Sequence, residues 1–159
     1  GLTSTVTYKR WTFSAFFQGT QGNDILNVNL RSYDMASSST NMPKFVWDNR
    51  WTPENRAAAL WPRADGSYTR SMKASDRYVV DGSYLRCKNV SLSYRWPYPI
   101  KHIESVNLVV SASNLFTISS YDWYDPDVNA FGSDPTRRGV DMSSYPSART
   151  FNLGIQLAF

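Results

Sequence analysis

The 159-residue chain has one cysteine, one histidine and no long run of apolar residues, and each scarcity removes a class of protein. A lone Cys87 cannot close an internal disulfide, so the chain is not a disulfide-stapled scaffold. With no companion histidine arranged beside it, Cys87 reads as a small apolar residue rather than a catalytic thiol. His102 lies in the proline-rich stretch Pro97-Tyr98-Pro99-Ile100-Lys101-His102, without a nucleophile set around it, and gives general-base catalysis no footing. An enzyme is therefore not expected. No window approaches the roughly 18 apolar residues of a transmembrane helix, which excludes helical spanning and leaves spanning by strands open. Positive charge is modest too: the net charge of +4 is scattered, without the clustered Lys and Arg or the motif that nucleic-acid binding requires. Gly1 opens the chain without Met or a signal-like apolar segment, so the sequence reads as part of a larger or processed polypeptide.

Aromatic residues are abundant instead, at 15% with six Trp and ten Tyr, yet the mean hydropathy is only -0.45 because Ser, Asn, Arg and Asp dilute them. The clearest pattern is at the C-terminus. In a strand, Phe151, Leu153, Ile155, Leu157 and Phe159 share one face, and Thr150, Asn152, Gly154, Gln156 and Ala158 share the other. At ~3.3 Å per residue and a tilt near ~45°, about ten residues cover the ~25 Å apolar band of an outer-membrane barrel. The same alternation also suits a half-buried strand of a soluble sandwich.

Alternation predicts four strands, over about residues 5–18, 83–96, 105–118 and 149–159. In the first, Trp11, Phe13, Ala15 and Phe17 oppose Arg10, Thr12, Ser14 and Gln18. An Arg facing inward there suits a wet barrel interior better than a dry core. In the second, Leu85 and Cys87 fall out of phase with Val90, Leu92 and Tyr94, and a bulge near Lys88 and Asn89 would restore one apolar face. In the third, Val106, Leu108, Val110 and Ala112 align, and Asn114-Leu115-Phe116 disturbs the phase. Between the strands lie long connections at about 19–82 and 118–148 and a short turn at about 97–104. Within the first connection, Trp51 to Leu60 reads as a short helix with Thr52 capping and Pro53 at its first position. Alternating long and short connections match the extracellular loops and periplasmic turns of outer-membrane barrels.

Six segments taken in order resemble the C-terminal part of SusC-like (SusC/RagA-type) TonB-dependent outer-membrane transporters. They are Phe13-Ser14-Ala15-Phe16-Phe17-Gln18-Gly19, Asn49-Arg50-Trp51-Thr52-Pro53-Glu54-Asn55, the stretch from Asp81 to Tyr94, Ser113-Asn114-Leu115-Phe116-Thr117, Tyr124-Asp125-Pro126-Asp127, and Tyr145 to Phe159. Cys87 stands where that family usually has an aliphatic residue, and Asp127 where Glu is common. The resemblance implies an all-β fold: an antiparallel transmembrane β-barrel segment in which residues 1–159 supply about four C-terminal strands of a large, 22-stranded barrel. It implies nutrient uptake across the outer membrane of a Gram-negative bacterium, of oligosaccharides or peptides. The partners implied are a SusD-like surface lipoprotein, TonB acting through an N-terminal part outside these residues, the barrel-assembly machinery, and outer-membrane lipid. No cofactor and no nucleic acid are implied.

The loop aromatics Trp47, Trp51, Trp61, Tyr121, Trp123 and Tyr124 are the candidate substrate contacts, because such rings stack on sugars or line a peptide path; they also anchor loops by burying large areas. Phe151, Leu153, Ile155, Leu157 and Phe159 are the candidate barrel-assembly signal. Arg10, Arg86 and Lys88 are expected to face a wet interior. Asp122, Asp125 and Asp127 with Asn129 could approach a calcium loop but lack the glycine and closing glutamate of an EF-hand, so no metal is expected. The alternative from another class is a secreted β-sandwich that binds carbohydrate through exposed aromatics.

Overall fold

The computed structural model describes residues 1–34, 41–64, 75–98, 100–132 and 134–159. These form two units, Gly1–Asn23 with Gly82–Pro126 and Tyr145–Phe159, and Asp24–Asp81 with Asp127–Ser144.

The first unit is a single five-stranded antiparallel sheet. Its strands are β1 (Leu2–Tyr8), β2 (Trp11–Thr20), β5 (Tyr84–Arg95), β6 (Ser105–Ser119) and β8 (Thr150–Ala158), ordered β1-β2-β5-β6-β8. The segment expected to be one strand over residues 5–18 is a hairpin. Lys9 takes a left-handed φ of 54° and turns the chain between the paired Tyr8 and Trp11, which moves Arg10 from the strand into the turn. Lys at that position carries no turn signature, so alternation ran across it unbroken.

Register aligns every apolar set. Trp11, Phe13, Ala15 and Phe17 pair with Tyr94, Leu92, Val90 and Cys87, and Leu108, Val110 and Ala112 pair with Ile155, Leu153 and Phe151. The phase break at Lys88 is the bulge the sequence called for: pairing shifts between Cys87 and Asn89, which returns Leu85 and Cys87 to the face of Val90 and Leu92. Opposite it, Asn114 and Leu115 face Lys88 as two residues against one. Asn114 adopts φ 51°, a conformation Asn tolerates better than most residues, and its Nδ2 donates to the Ala148 carbonyl at 2.9 Å.

The short connections gather at one end of this sheet. The Lys9-Arg10 turn docks through Arg95 N to Arg10 O at 2.9 Å, and Glu104 N donates to Ala158 O at 2.7 Å beside the last strand. The ends at Thr20, Tyr84, Ser119 and Thr150 lie together at the other end, where the chain leaves for its long connections.

Those connections, expected at about 19–82 and 118–148, are more regular than their composition suggests. Together they supply the second unit, built on β3 (Asp24–Asn27), β4 (Val79–Asp81) and β7 (Val140–Asp141), with helices α1 (Val28–Asp34) and α2 (Lys44–Asp48). β3 pairs antiparallel with β4 and parallel with β7, so residues from both connections share one sheet. Ile25 is fully buried there. Asn27 caps α1, its Oδ1 accepting from Asn29 N at 3.0 Å and Leu30 N at 3.4 Å. Gly139 is required at its place: its φ is 76°, its carbonyl accepts from Leu26 N at 2.8 Å, and a Cβ there would sit 2.9 Å from the Asp24 carbonyl oxygen.

Candidate functional site

The first candidate surface is the sheet face carrying Phe151, Leu153, Ile155 and Leu157. Leu153, Ile155 and Leu157 are 82%, 66% and 48% exposed, and Phe13, Leu92, Val110 and Phe116 on the same face are exposed as well. No second sheet covers these side chains among the described residues. A soluble protein of this size does not leave so broad an apolar wall in water, and hydrocarbon is the solvent that suits it. Phe159 follows β8 and is also exposed. Cys87 sits in this face, buried between paired Phe17 and Phe116. His102 is exposed in the 96–104 turn at φ 66°.

The opposite face carries Thr5, Thr12, Ser14, Ser91, Ser93, Ser111, Asn152 and Gln156. Hydroxyl pairs cross it, Thr5 to Ser14 at 3.1 Å and Thr7 to Thr12 at 3.3 Å. At its long-connection end Arg86 and Asp125 form a buried ion pair through Nη2 and Oδ1, their side chains only 4% and 6% exposed. Arg86 also donates from Nε to Thr117 Oγ1 at 2.9 Å and from Nη1 to Ser147 Oγ at 3.2 Å, while Asp125 Oδ2 accepts from Ser147 N at 2.9 Å. Five donors on a planar fork suit this many acceptors, and the pair ties β5 to β6 and to the connection that leads into the last strand. Alternation puts Arg86 on the polar face, but nothing local marks Asp125, thirty-nine positions away, as its partner. Of the candidate calcium-loop residues, Asp125 is the one paired with Arg86.

The six candidate aromatics divide between the units, Tyr121, Trp123 and Tyr124 in the first, Trp47, Trp51 and Trp61 in the second. Tyr121 is buried at 7% exposure, a packing position rather than a presented face. Tyr124 is 64% exposed and meets Trp123 edge to face at 5.7 Å. In the second unit the expected helix from Trp51 to Leu60 is absent. The chain forms turns there, although Thr52 does cap as anticipated, its Oγ1 accepting from Asn55 N at 3.1 Å. The turns win because Asn49 O and Trp61 O draw the two ends together, accepting from Leu60 N at 2.9 Å and Trp51 N at 2.8 Å. Backbone donors and the Thr52 hydroxyl hold the Glu54 carboxyl below the ordinary carboxylate range.

This loop shapes an open hollow of about 610 Å³ lined by Trp51, Arg56, Trp61, Arg63 and Arg77. Arg77 lies 4.2 Å from the Trp61 ring centroid, and Phe45 meets that ring edge-on at 5.8 Å. Nearby, Arg50 stacks 3.4 Å from the Trp47 centroid. Aromatic and guanidinium planes thus alternate across the surface, an arrangement that stabilises cations over ring faces. The sequence showed the tryptophans; the arginines went unnoticed because they are scattered from position 50 to 77.

No family model matches the chain. Curated relatives that match along its full length include TonB-dependent receptor P26 of Formosa agariphila at 33% identity and TonB-dependent receptor SusC of Bacteroides thetaiotaomicron at 29%. The chain spans 16% and 15% of their lengths. Among solved structures, the RagAB peptide transporter superposes with a TM-score of 0.77 at 22% identity, and the RagAB peptide importer in its closed-closed state with 0.74 at 25%. Each superposition covers 96% of this chain and 16% of the other.

Proposed function

The chain belongs to the TonB-dependent receptor family, matching SusC-like receptors over its own full length, and from that premise we propose that it builds the C-terminal wall and outer loops of an outer-membrane nutrient importer. The observation that carries the reading is the two-faced sheet, with Leu153, Ile155 and Leu157 turned outward and Ser, Thr, Asn and Gln on the other side. In this reading the apolar face meets lipid and the polar face borders the water-filled interior. The end bearing the Lys9-Arg10 and 96–104 turns faces the periplasm, and the long connections leave the sheet from its extracellular end.

The importer works with a SusD-like surface lipoprotein above these loops and draws energy from TonB through parts of the protein outside this chain. Phe151, Leu153, Ile155, Leu157 and Phe159 serve the barrel-assembly machinery as well as the wall. Cargo is an oligosaccharide or a peptide, met by the rings of Trp47, Trp51, Trp61, Trp123 and Tyr124. Support comes from the relatives, which include SusC, and from the structural likeness to a peptide transporter.

Deleting the gene for the whole receptor tests the reading. Uptake of one glycan or peptide class should stop while porin-sized sugars still enter, and the receptor should be extracted from the outer membrane with a lipoprotein attached. Recovery of this chain as a folded monomer in detergent-free buffer would refute it, because the exposed wall could not then be a lipid face.

A further inference from the structure

The hollow among Trp51, Arg56, Trp61, Arg63 and Arg77 has a chemistry of its own. Three guanidiniums line it and, among the described residues, no carboxylate does. Arg77 is already oriented, its Nη2 donating to the Leu60 carbonyl while its plane lies over Trp61. Arg56 and Arg63 are exposed and make no ion pair or hydrogen bond with the described residues. Unpaired guanidiniums converging on one hollow keep their forks open for carboxylate or sulfate oxygens, which they can take two at a time.

The backbone narrows the class of ligand further. Trp51 N, Leu60 N and Trp61 N are consumed by Trp61 O and Asn49 O, and the Arg50 and Leu60 carbonyls accept from Asn55 Nδ2 and Arg77. A peptide recognised by strand addition needs free main-chain donors and acceptors in a row, and this loop has used the relevant ones on itself. What remains is side-chain recognition by charged forks beside indole rings. We propose that this hollow binds an acidic oligosaccharide, a sugar chain carrying carboxylate or sulfate groups, with Arg56 and Arg63 gripping the anionic groups and the Trp51 and Trp61 rings flanking the sugar. The proposal rests on the importer reading above, and it names the cargo that reading leaves open.

The test uses the full-length receptor in detergent, titrated calorimetrically with hexagalacturonate, a sulfated carrageenan hexasaccharide, maltohexaose and hexaglutamate. The acidic sugars should bind at least tenfold tighter than maltohexaose and weaken from about 50 mM to about 500 mM salt. The double variant R56Q/R63Q should lose roughly tenfold or more for the acidic sugars, whereas R56K/R63K, keeping charge without the fork, should fall between. Both residues are exposed, and an unchanged heat-modifiable band on a gel will report that the variants are folded. Equal affinity for neutral and acidic sugars, or an R56Q/R63Q variant that binds like the parent, overturns the proposal. Hexaglutamate binding as tightly as the sugars and losing as much in R56Q/R63Q also overturns it, in favour of an acidic peptide. Whole-cell uptake separates the two layers: intact uptake with no loss in R56Q/R63Q sinks this inference alone, and binding without any uptake by the parent sinks the importer reading alone.

Discussion

Removing one member of the Arg86–Asp125 pair should cost far more than removing both. With the two side chains 4% and 6% exposed, Asp125→Ala leaves a guanidinium in a buried site without its carboxylate, although the Thr117 and Ser147 hydroxyls still accept from it. Breaking a buried pair in this way costs about 3–5 kcal/mol, against about 0–1 kcal/mol for an exposed pair. Arg86→Met should cost about the same, because it leaves the buried Asp125 carboxylate without its guanidinium. The double variant, with no charge left to solvate, should cost much less than either single variant. The Ser147 amide donates to Asp125 at 2.9 Å and reports the site directly by hydrogen exchange. At about 1.4 kcal/mol per tenfold, a loss of 3 kcal/mol or more accelerates its exchange by roughly a hundredfold or more in either single variant. Single variants that exchange within about fivefold of the parent, or a double variant whose loss equals the sum, would show that this pair is not desolvated and coupled as drawn.

The two faces of β8 should respond oppositely to charge. Leu153→Arg should reduce the fraction folded into lipid vesicles, at a cost of about 2–4 kcal/mol at mid-membrane, while Gln156→Arg on the polar face should leave it near the parent; equal losses would refute the assignment of faces. At the bulge, Asn114→Ala should destabilise urea unfolding by about 1 kcal/mol more than Asn114→Gly, since both lose the Ala148 contact but only Ala pays for φ 51°. Asp134 accepts from the Thr136 hydroxyl at 2.7 Å, Arg137 Nε at 2.7 Å and Thr136 N at 2.9 Å, and these donors, the hydroxyl first, hold its carboxyl below the ordinary 3.8. Its support of the Pro135–Arg137 turn is therefore complete above that ordinary value and is lost as pH falls through the lowered one. Thr136 amide protection, corrected for intrinsic rate, should show this acid step in the parent and not in Asp134→Asn.

Alternation with period two was enough to reveal the wall. A strand's side chains must point to opposite faces, so Phe151 through Leu157 disclosed an apolar side without any knowledge of neighbours, and the phase break at Lys88 disclosed its own bulge. The identity of the candidate aromatics was equally local. What stayed hidden was whatever depends on residues far apart in the chain. The Lys9 turn is held by pairing of Tyr8 with Trp11 and by the Arg10 carbonyl's bond to Arg95, not by a turn signature. The Trp51–Leu60 segment has a helix's cap and proline, yet Asn49 and Trp61 close it into turns because tertiary bonds outweigh propensity in so short a piece. β3 and β7 pair in parallel across more than a hundred residues, which strands of four and two residues cannot announce by periodicity. The Arg86–Asp125 pair and the gathering of Arg56, Arg63 and Arg77 around two tryptophans have the same origin. A sequence records which face of a strand is greasy because that is set by adjacent residues, whereas the meeting of opposite charges or of loops is set by the closed path of the whole chain.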